Sequence, residues 1–231
     1  MSSKENNNIY IVIAAYNESR VIQDVIKEIQ GAGYDNIIVV DDGSSDETYQ
    51  KISCIEKTIP LKHKINRGKG AATKTGIEAA KLLGADIIVT MDGDGQHDPS
   101  DIRVLIKPLL DENYDVSLGT RLLNPKGMPW YKIIQNKIGN AITWYLFGLW
   151  VTDSQSGFRA YSKKAAQAIN TTGDRYEYDS EVIREIYKNK LRYTETPIQV
   201  RYTEYSMGKI QKQGFVNGIK TVYKMLWKIF H

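Results

Sequence analysis

The chain has 231 residues, of which 42% are hydrophobic and 25% are charged, and its formal net charge is +4. This composition is typical of one globular domain that buries a substantial core without disulfides or a structural metal. The single cysteine, Cys54, excludes an intramolecular disulfide framework and a multi-cysteine zinc cage, and it fits a reducing cytosolic setting.

The two ends of the chain differ in character. Met1–Asn8 is polar and has no apolar stretch of the kind that directs secretion, so we expect no signal peptide. Tyr205–His231 contains five lysines and no acidic residue, which favours anionic partners such as phosphates, acidic lipids or nucleic acid. The apolar run that comes nearest to a spanning length, Ala141–Val151, is too short to cross a bilayer.

The N-terminal part of the chain alternates between predicted strands and predicted helices. The strands are continuous apolar runs rich in β-branched residues, and they are predicted at Ile9–Ala14, Asn36–Val40 and Asp86–Met91. The helices follow from the spacing of apolar residues, and they are predicted at Glu18–Gln30, Ser45–Cys54 and Thr73–Leu83. Because the strands are apolar throughout, they indicate a parallel sheet with helices on both faces.

The second part of the chain is less regular. It contains a predicted strand near Asp115–Gly119, a helix near Ser180–Lys188 and a strand near Glu195–Tyr202. Since no repeat or linker interrupts the sequence, we expect one domain over residues 1–210, followed by a helix over residues 211–231. The expected fold class is α/β, with a mostly parallel central sheet flanked by helices.

Polar clusters follow three of the predicted strands. They are Ala14–Glu18, Asp41–Asp46 and Asp92–Asp98. Ligands of parallel sheets bind outside the carboxyl ends of the strands. The three clusters are therefore expected to lie along one edge of the sheet and to carry the chemistry of the protein.

The cluster after the third of these strands suits a divalent cation. Asp92 and Asp94 are separated by one glycine, so both carboxylates can turn toward one ion, and Gln96 adds an amide oxygen. These hard oxygen ligands suit Mg²⁺ or Mn²⁺, which also bind substrate phosphates. The alternative is an acidic turn whose polar groups satisfy the loop. His97 is a further candidate ligand, although a role in orienting the loop by hydrogen bonds is preferred.

Two other segments suit a nucleotide and its phosphates. Asp42 is expected to accept hydrogen bonds from a base or a ribose, while Ser44 or Ser45 caps the following helix. The basic, glycine-rich turn Asn66–Gly70 opens a helix and can hold phosphate. It matches neither the dinucleotide-binding fingerprint nor the P-loop, so those two classes lack their signatures.

Taken together, four motifs resemble glycosyltransferase family 2, which has the GT-A fold. They are Ala15-Tyr16-Asn17-Glu18, Val39–Asp46, Asn66-Arg67-Gly68-Lys69-Gly70 and Asp92–His97. Within that family the chain is similar to the dolichol-phosphate mannose synthase group. The motifs of this closer resemblance are Gln96–Pro99, Gly119-Thr120-Arg121, Asp153–Arg159 and Tyr176–Glu181, and the resemblance extends from about Ile9 to Lys209.

The resemblance implies a set of residues for each substrate. The nucleotide-sugar would contact Ala14, Tyr16, Glu18, Val40, Asp42, Lys69, Asp92 and Gly93. The metal would be held by Asp92, Asp94 and Gln96. The acceptor phosphate would contact Arg121, Lys132, Arg159, Arg201 and Lys209. Two departures from the group concern this set. Ala14 replaces its usual proline, and the arginine that it has nearer to Lys209 is missing, so either Arg201 substitutes for it or the donor preference differs.

The implied reaction is a metal-dependent, inverting transfer of a hexose from a nucleotide-sugar to a polyprenyl (dolichyl or undecaprenyl) phosphate. The leading donor is GDP-mannose, and the alternative is a UDP-sugar such as UDP-glucose. A phosphate acceptor is already ionised at neutral pH, so it needs cations rather than a base. The expected catalytic residues are Arg121, Asp92 and Asp153, of which Asp153 would stabilise the cation-like sugar or position the acceptor-binding arginines. Alternatively, Asp153 and Arg159 form a structural ion pair.

Two other functions remain open from the sequence. The acceptor could be a soluble sugar hydroxyl, with Asp153 or Asp179 as the base. The chain could also be a catalytically silent module that binds through its basic end, although no nucleic-acid-binding pattern is present and we expect no nucleic-acid partner.

The C-terminal segment favours a membrane partner. In residues 211–231, lysines occupy one side of a helical wheel, and Phe215, Ile219 and Leu226 occupy the opposite side. A basic amphipathic helix with aromatic residues suits the surface of an anionic bilayer. The alternative is that this helix packs on its own domain. The expected location is therefore peripheral, at the cytoplasmic face of a membrane.

Overall fold

The computed structural model describes residues 7–121, 138, 140–141, 144–145, 148–175 and 177–201. The strands of this part of the chain are β1 (Ile9–Ala15), β2 (Ile37–Asp41), β3 (Thr58–Lys62), β4 (Ile87–Asp92), β5 (Val116–Thr120), β6 (Arg159–Ser162) and β7 (Tyr193–Pro197). Its helices are α1 (Ile22–Gly31), α2 (Thr48–Ser53), α3 (Lys69–Leu82), α4 (Asp101–Asp111), α5 (Lys163–Ala168) and α6 (Glu177–Lys188).

These strands form one sheet in the order β3-β2-β1-β4-β6-β5-β7. Each neighbouring pair is parallel except those of β6, which runs antiparallel to β4 and to β5. The predicted mostly parallel sheet flanked by helices is therefore confirmed.

Helices cover both faces of the sheet, which explains why the central strands are apolar throughout. In β1, Ile11 and Ile13 pack into a core with residues of α1, α2 and α4. Val12, which points the other way, packs into a second core with residues of α3, α5 and α6. Successive side chains of a strand alternate between faces. A strand buried on both sides therefore shows no polar alternation.

Strand β7 covers Tyr193–Pro197 rather than the predicted Glu195–Tyr202, and helix α6 begins at Glu177 rather than Ser180. Three helices of the N-terminal part also begin away from their predicted starts, for local reasons. Helix α1 begins at Ile22 rather than Glu18, because the backbone N–H groups of residues 18 and 19 donate to the side chains of Thr48 and Asp46. Helix α2 begins at Thr48 rather than Ser45, since the preceding serines bind other groups. Helix α3 begins at Lys69 rather than Thr73, directly after Gly68, whose φ of 112° makes the turn.

Other predictions cannot be compared with the described residues. The helix predicted over residues 211–231, the boundary at 210, and the site residues Lys132 and Lys209 lie outside them. In the part of the chain that the structure covers, no helix is both long enough and apolar enough to cross a membrane.

Candidate active site

The carboxyl ends of β1, β2 and β4 meet at one edge of the sheet, here called the carboxyl edge. Ala14 of β1 pairs with Val40 of β2 on one side and with Asp92 of β4 on the other. The Gly93 N–H donates to the Ala14 carbonyl at 3.0 Å, and a Cβ on Gly93 would lie only 3.2 Å from that oxygen. Four of the residues expected at the nucleotide-sugar therefore lie side by side.

The loops after β1 and β2 are joined by hydrogen bonds into one unit. The Asn17 N–H donates to Ser44 Oγ at 2.9 Å, and Asn17 Oδ1 accepts from the Ser45 N–H at 3.0 Å. The Glu18 N–H donates to Thr48 Oγ1 at 2.9 Å. This unit buries Glu18 and leaves Tyr16 45% exposed, so Tyr16 is the more accessible of the two side chains to a ligand.

The expected serine cap of α2 is wrong. Ser44 binds the Asp41 carboxylate and the Asn17 N–H, and neither Ser44 nor Ser45 accepts from the helix. The cap position is Glu47, which makes no side-chain cap bond, and the N–H of Thr48 instead donates to Asp46 Oδ1 at 3.0 Å. The same carboxylate accepts from the Ser19 N–H at 3.2 Å and so ties the two loops together.

Asp42 organises the glycine-rich turn before α3. Its buried carboxylate accepts from the N–H groups of Arg67 at 3.0 Å and Gly68 at 2.6 Å. His63 Nδ1 lies 2.7 Å from the same carboxylate, and His63 Nε2 lies 3.0 Å from Thr75 Oγ1. These partners all belong to the chain itself, so a contact between Asp42 and a nucleotide stays a prediction.

The turn that Asp42 holds places Lys69 at the carboxyl edge. Lys69 Nζ lies 2.8 Å from Asp92 Oδ1 and 3.7 Å from Asp179 Oδ2. Burial favours the neutral amine, but the carboxylates of Asp179 and Asp92 outweigh it and raise the pKa of Lys69. Burial likewise opposes ionisation of Asp92, yet the Lys69 ammonium, with a smaller contribution from Arg121, lowers the pKa of that carboxyl. Both groups are therefore charged at neutral pH.

Asp92 and Asp94 are the two carboxylates at this edge that would share a divalent cation, and this role stays a prediction. Burial, followed by the negative charge of Asp92, raises the pKa of Asp94, and a shared cation would relieve that repulsion. Asp94 also accepts from the Gln96 N–H at 3.0 Å and from Gln96 Nε2 at 2.6 Å. Among the described residues no group of three His, Cys, Asp or Glu side chains could hold a metal. Substrate phosphates and water would therefore have to complete a shell begun by these carboxylates, as is usual for Mg²⁺.

His97 supports this loop from behind. Its Nδ1 accepts from the Asp92 N–H at 3.4 Å, and its ring stacks on Phe158 with ring centroids 4.8 Å apart. The side chain is buried, and burial lowers its pKa. This geometry is that of the preferred loop-orienting role.

Arg121 and Asp153 form a bidentate pair near the same edge. Arg121 Nε donates to Asp153 Oδ2 at 2.6 Å, Nη2 donates to Oδ1 at 2.8 Å, and the backbone N–H donates to Oδ2 at 3.1 Å. Asp153 is buried, whereas the Arg121 side chain is 23% exposed. The alternative in which Asp153 pairs with Arg159 is wrong, because the structure pairs Asp153 with Arg121.

Arg159 lies under the site rather than in it. It is 1% exposed, and it donates to the carbonyls of Ser156 at 2.8 Å, Ser154 at 2.8 Å and Asp179 at 3.1 Å. Its Nη2 also lies 3.6 Å from Asp179 Oδ1. This placement does not suit the expected contact with an acceptor phosphate, because such a ligand cannot reach a fully covered side chain.

Arg201 is also engaged away from the expected phosphate. Its Nη1 lies 2.5 Å from Glu28 Oε2 on α1, and its Nη2 lies 3.0 Å from Asp98 Oδ2. Its N–H donates to the Gln96 carbonyl at 2.8 Å. With two carboxylates already compensating its charge, Arg201 is better suited to fixing the loop after β4 than to capturing an acceptor.

Comparison with known proteins identifies the family. Residues 10–169 match the model of Glycosyl transferase family 2, and this match covers more than half of the chain. The chain belongs to glycosyltransferase family 2.

Two curated relatives and one solved structure agree with this assignment. The UDP-N-acetylglucosamine–dolichyl-phosphate N-acetylglucosaminyltransferase of Methanococcus voltae is 42% identical over 94% of this chain and 94% of its own length. The polyprenol monophosphomannose synthase of Mycolicibacterium smegmatis is 26% identical over 88% of this chain and 80% of its own. Glucosyl-3-phosphoglycerate synthase from Mycobacterium tuberculosis, solved with Mn²⁺, UDP and phosphoglyceric acid, superposes with a TM-score of 0.68 at 19% identity, over 95% of this chain and 78% of its own. That superposition confirms the GT-A fold.

Two residues at this site were not predicted from the sequence. His63 has no motif around it, and its role becomes visible only when the fold brings it to Asp42. Gly157 lies against the site, since a Cβ there would meet Lys69 Nζ and would lie 3.1 Å from Asp92 Oδ1. Its place inside the motif Asp153–Arg159 is the signal that could have drawn attention to it.

Proposed function

We propose that the chain transfers one sugar from a nucleotide-sugar to a polyprenyl phosphate, with Mg²⁺ or Mn²⁺ as cofactor. The family assignment supports glycosyl transfer, and the two curated relatives support the acceptor, because one is named for dolichyl phosphate and the other for polyprenol monophosphomannose. The proposal includes the expected peripheral location at the cytoplasmic face of the membrane that holds the lipid.

The observation that carries the acceptor class is the engagement of the two carboxylates that could act as a base. A sugar hydroxyl must lose its proton in the transition state. Asp153 accepts three hydrogen bonds from Arg121, and Asp179 is buried between Lys69 and Arg159. Neither is placed to take a proton from a ligand. A phosphate needs no base, and the partly exposed Arg121 offers it a planar, bidentate partner.

The carboxyl edge would serve the donor. A divalent cation held by Asp92 and Asp94 would offset the negative charge that develops on the departing nucleoside diphosphate. Lys69 can exchange one carboxylate partner for a diphosphate oxygen without leaving the edge. Arg121, held by Asp153, would orient the acceptor phosphate toward the sugar, and a single displacement there would invert the anomeric configuration.

For the donor, the comparisons favour UDP-N-acetylglucosamine over the GDP-mannose expected from the sequence. The relative named for UDP-N-acetylglucosamine shares 42% identity with this chain, whereas the mannose-phosphate synthase shares 26%. GDP-mannose and UDP-glucose remain the donors against which this preference must be measured.

A matrix of donors and acceptors tests the proposal. The three donors are offered with Mn²⁺ to a polyprenyl phosphate, to the matching unphosphorylated polyprenol and to free sugars. We expect a lipid-linked sugar phosphate only with the phosphorylated lipid, most rapidly from UDP-N-acetylglucosamine, and none after chelation of the metal. Transfer to a hydroxyl acceptor would contradict the proposed acceptor. Metal-independent donor binding without turnover would instead favour a silent binding module.

A further inference from the structure

A partly buried carboxylate on β7 contacts the chain segment that carries Asp153. Glu195 Oε1 accepts from the Thr152 N–H at 2.7 Å and from Thr152 Oγ1 at 2.7 Å. The two residues are 43 positions apart in sequence, so this contact joins separate elements of the fold. Because Asp153 follows Thr152 directly, Glu195 fixes the backbone one residue before the carboxylate that holds Arg121.

The same contact extends to the end of β5, directly before Arg121. Thr152 Oγ1 lies 2.7 Å from Thr120 Oγ1. A hydroxyl has one hydrogen, and Thr152 donates its own to Glu195, so the Thr120 hydroxyl donates to Thr152. The chain after β7 also holds this end of β5, because the Ile198 N–H donates to the Thr120 carbonyl at 3.1 Å. Glu195 therefore supports the residue that precedes each member of the bidentate pair.

A second side chain holds the segment around Asp153 from another direction. Asn140 Nδ2 donates to the Thr152 carbonyl, and Asn140 Oδ1 accepts from the Ser154 N–H and from Ser154 Oγ, both at 2.9 Å. The backbone on both sides of Asp153 is thus bonded to side chains from other parts of the chain. A loop that has only to satisfy its polar groups can do so with water. Fixed partners suit a carboxylate that must hold an arginine in one place.

We infer that Glu195 is a positioning residue for the acceptor site, since through Thr152 it holds the Arg121–Asp153 pair where the guanidinium meets the acceptor phosphate. The inference rests on the proposed function for the identity of the acceptor. The Glu195 carboxylate contacts Thr152 rather than the ligand, so its effect depends on where Arg121 lies. When Glu195 is removed, the pair is expected to stay intact but to shift. A misplacement of about 1 Å can lower the rate of a reaction between positioned groups by about 10²-fold.

Kinetics with varied polyprenyl phosphate test the effect on the acceptor. We expect Glu195→Ala to raise KM for the acceptor by roughly tenfold, less than the full cost of misplacement because Asn140 still holds the segment. Donor KM should stay unchanged. Glu195→Gln should recover most of the loss, because an amide oxygen can accept both hydrogen bonds from Thr152. An acceptor KM that stays at the wild-type value in Glu195→Ala would overturn the inference.

The neighbouring residue on β7 provides the matched control. Thr196 points to the opposite face of the strand from Glu195, and its Oγ1 lies 2.8 Å from Ser117 Oγ. Thr196→Val removes this buried hydrogen bond, so it should lower the urea midpoint of unfolding while acceptor KM stays at the wild-type value. If Thr196→Val raised acceptor KM as much as Glu195→Ala does, the effect would come from a weakened β7, and the inference would fail.

A double-mutant cycle tests whether Glu195 acts through Arg121. In the Arg121→Ala background, adding Glu195→Ala should cause no further loss of kcat/KM for the acceptor, because the positioned group is already absent. A second loss as large as that of Glu195→Ala alone would show that Glu195 acts by another route and would contradict the inference.

An NMR measurement separates this inference from the proposed function, because it needs no acceptor. The Arg121 Nε–H, which donates to Asp153, gives a signal in a proton–nitrogen correlation spectrum that is assigned by its loss in Arg121→Lys. We expect the wild-type position and exchange rate of this signal in Thr196→Val, and a shifted, faster-exchanging signal in Glu195→Ala. If wild type transfers sugar to no polyprenyl phosphate, the proposed function fails, while this signal still decides whether Glu195 positions Arg121. An unchanged signal in Glu195→Ala would refute that positioning.

Discussion

The ammonium nitrogen of Lys69 lies 2.8 Å from one carboxylate oxygen of Asp92 and 3.0 Å from the other. Lys69 begins α3 and Asp92 ends β4, so this contact joins two residues that are 23 positions apart in sequence. Asp42 fixes the turn before the lysine, and His97 accepts from the backbone of the aspartate. The contact is therefore held from both sides, which suits a lysine ammonium group that must meet a diphosphate in a fixed position.

Removing the Lys69 charge should weaken donor use strongly. We expect Lys69→Met to lower kcat/KM for the nucleotide-sugar by roughly 10²-fold, the scale for losing one fixed electrostatic contact to a reacting group. Lys69→Arg should recover part of the loss. Lys74→Met is the control on the same helix, because Lys74 pairs with Asp174 at 2.7 Å rather than with Asp92. Steady-state kinetics with varied donor decides this, and an unchanged Lys69→Met enzyme would refute the role.

Arg121 and Asp153 offer a test of phosphate capture against base catalysis. We expect Arg121→Ala to lower kcat/KM for the polyprenyl phosphate by roughly 10²-fold or more, with little change in donor KM. The loss of kcat/KM in Asp153→Asn should be no larger than that in Arg121→Ala, since this substitution leaves the guanidinium in place but less firmly held. Arg103→Ala, at an exposed position on α4, is the control. A far larger loss in Asp153→Asn than in Arg121→Ala would indicate a base and a hydroxyl acceptor.

His63 should act on the donor through Asp42. His63→Phe removes a partner of the buried Asp42 carboxylate, which should cost about 1–3 kcal/mol in the free energy of unfolding and raise donor KM. His63→Asn, whose amide can replace Nδ1, should restore part of both. Thr75→Val removes only the outer partner of His63 and should have a smaller effect. Urea unfolding and donor kinetics measure the two effects. A donor KM that stays at the wild-type value in all three variants would show that His63 has a purely structural role.

Arg201 should prove structural rather than acceptor-binding. Arg201→Ala breaks its exposed pairs with Glu28 and Asp98, and such pairs contribute about 0.2–1 kcal/mol. KM for the polyprenyl phosphate should stay within about twofold of wild type, because Arg201 contacts Glu28 and Asp98 rather than the acceptor. A twofold change corresponds to about half a kcal/mol. A tenfold rise in acceptor KM with unchanged unfolding would restore the contact expected from the sequence.

The sequence predicted those strands whose burial is visible in their composition. β1, β2 and β4 lie within one residue of their predicted ends, because strands buried on both faces must be apolar throughout. β3 was not predicted, because it is an edge strand with Pro60 in its middle and is only partly buried. β6 was not predicted, because it begins with the charged residue Arg159. Burial of this arginine depends on hydrogen bonds that it donates to the carbonyls of three other residues.

The carboxyl edge was predictable for the same reason, since the polar residues that end parallel strands must meet. Arg159 and Arg201 show the limit of this reasoning. A basic residue near a site can bind a ligand or support a loop, and only its contacts distinguish the two. Those contacts come from Asp179 and Glu28, whose positions no local pattern could supply.

The most direct test is mass spectrometry of the lipid product formed from UDP-N-acetylglucosamine, polyprenyl phosphate and Mn²⁺ by wild type and by Asp92→Ala/Asp94→Ala. We predict a sugar-phosphate lipid from wild type and a loss of roughly 10³-fold or more in the folded double variant, since both cation ligands are removed. Full turnover by the double variant, or a wild-type product that lacks the phosphate linkage, would contradict the central claim.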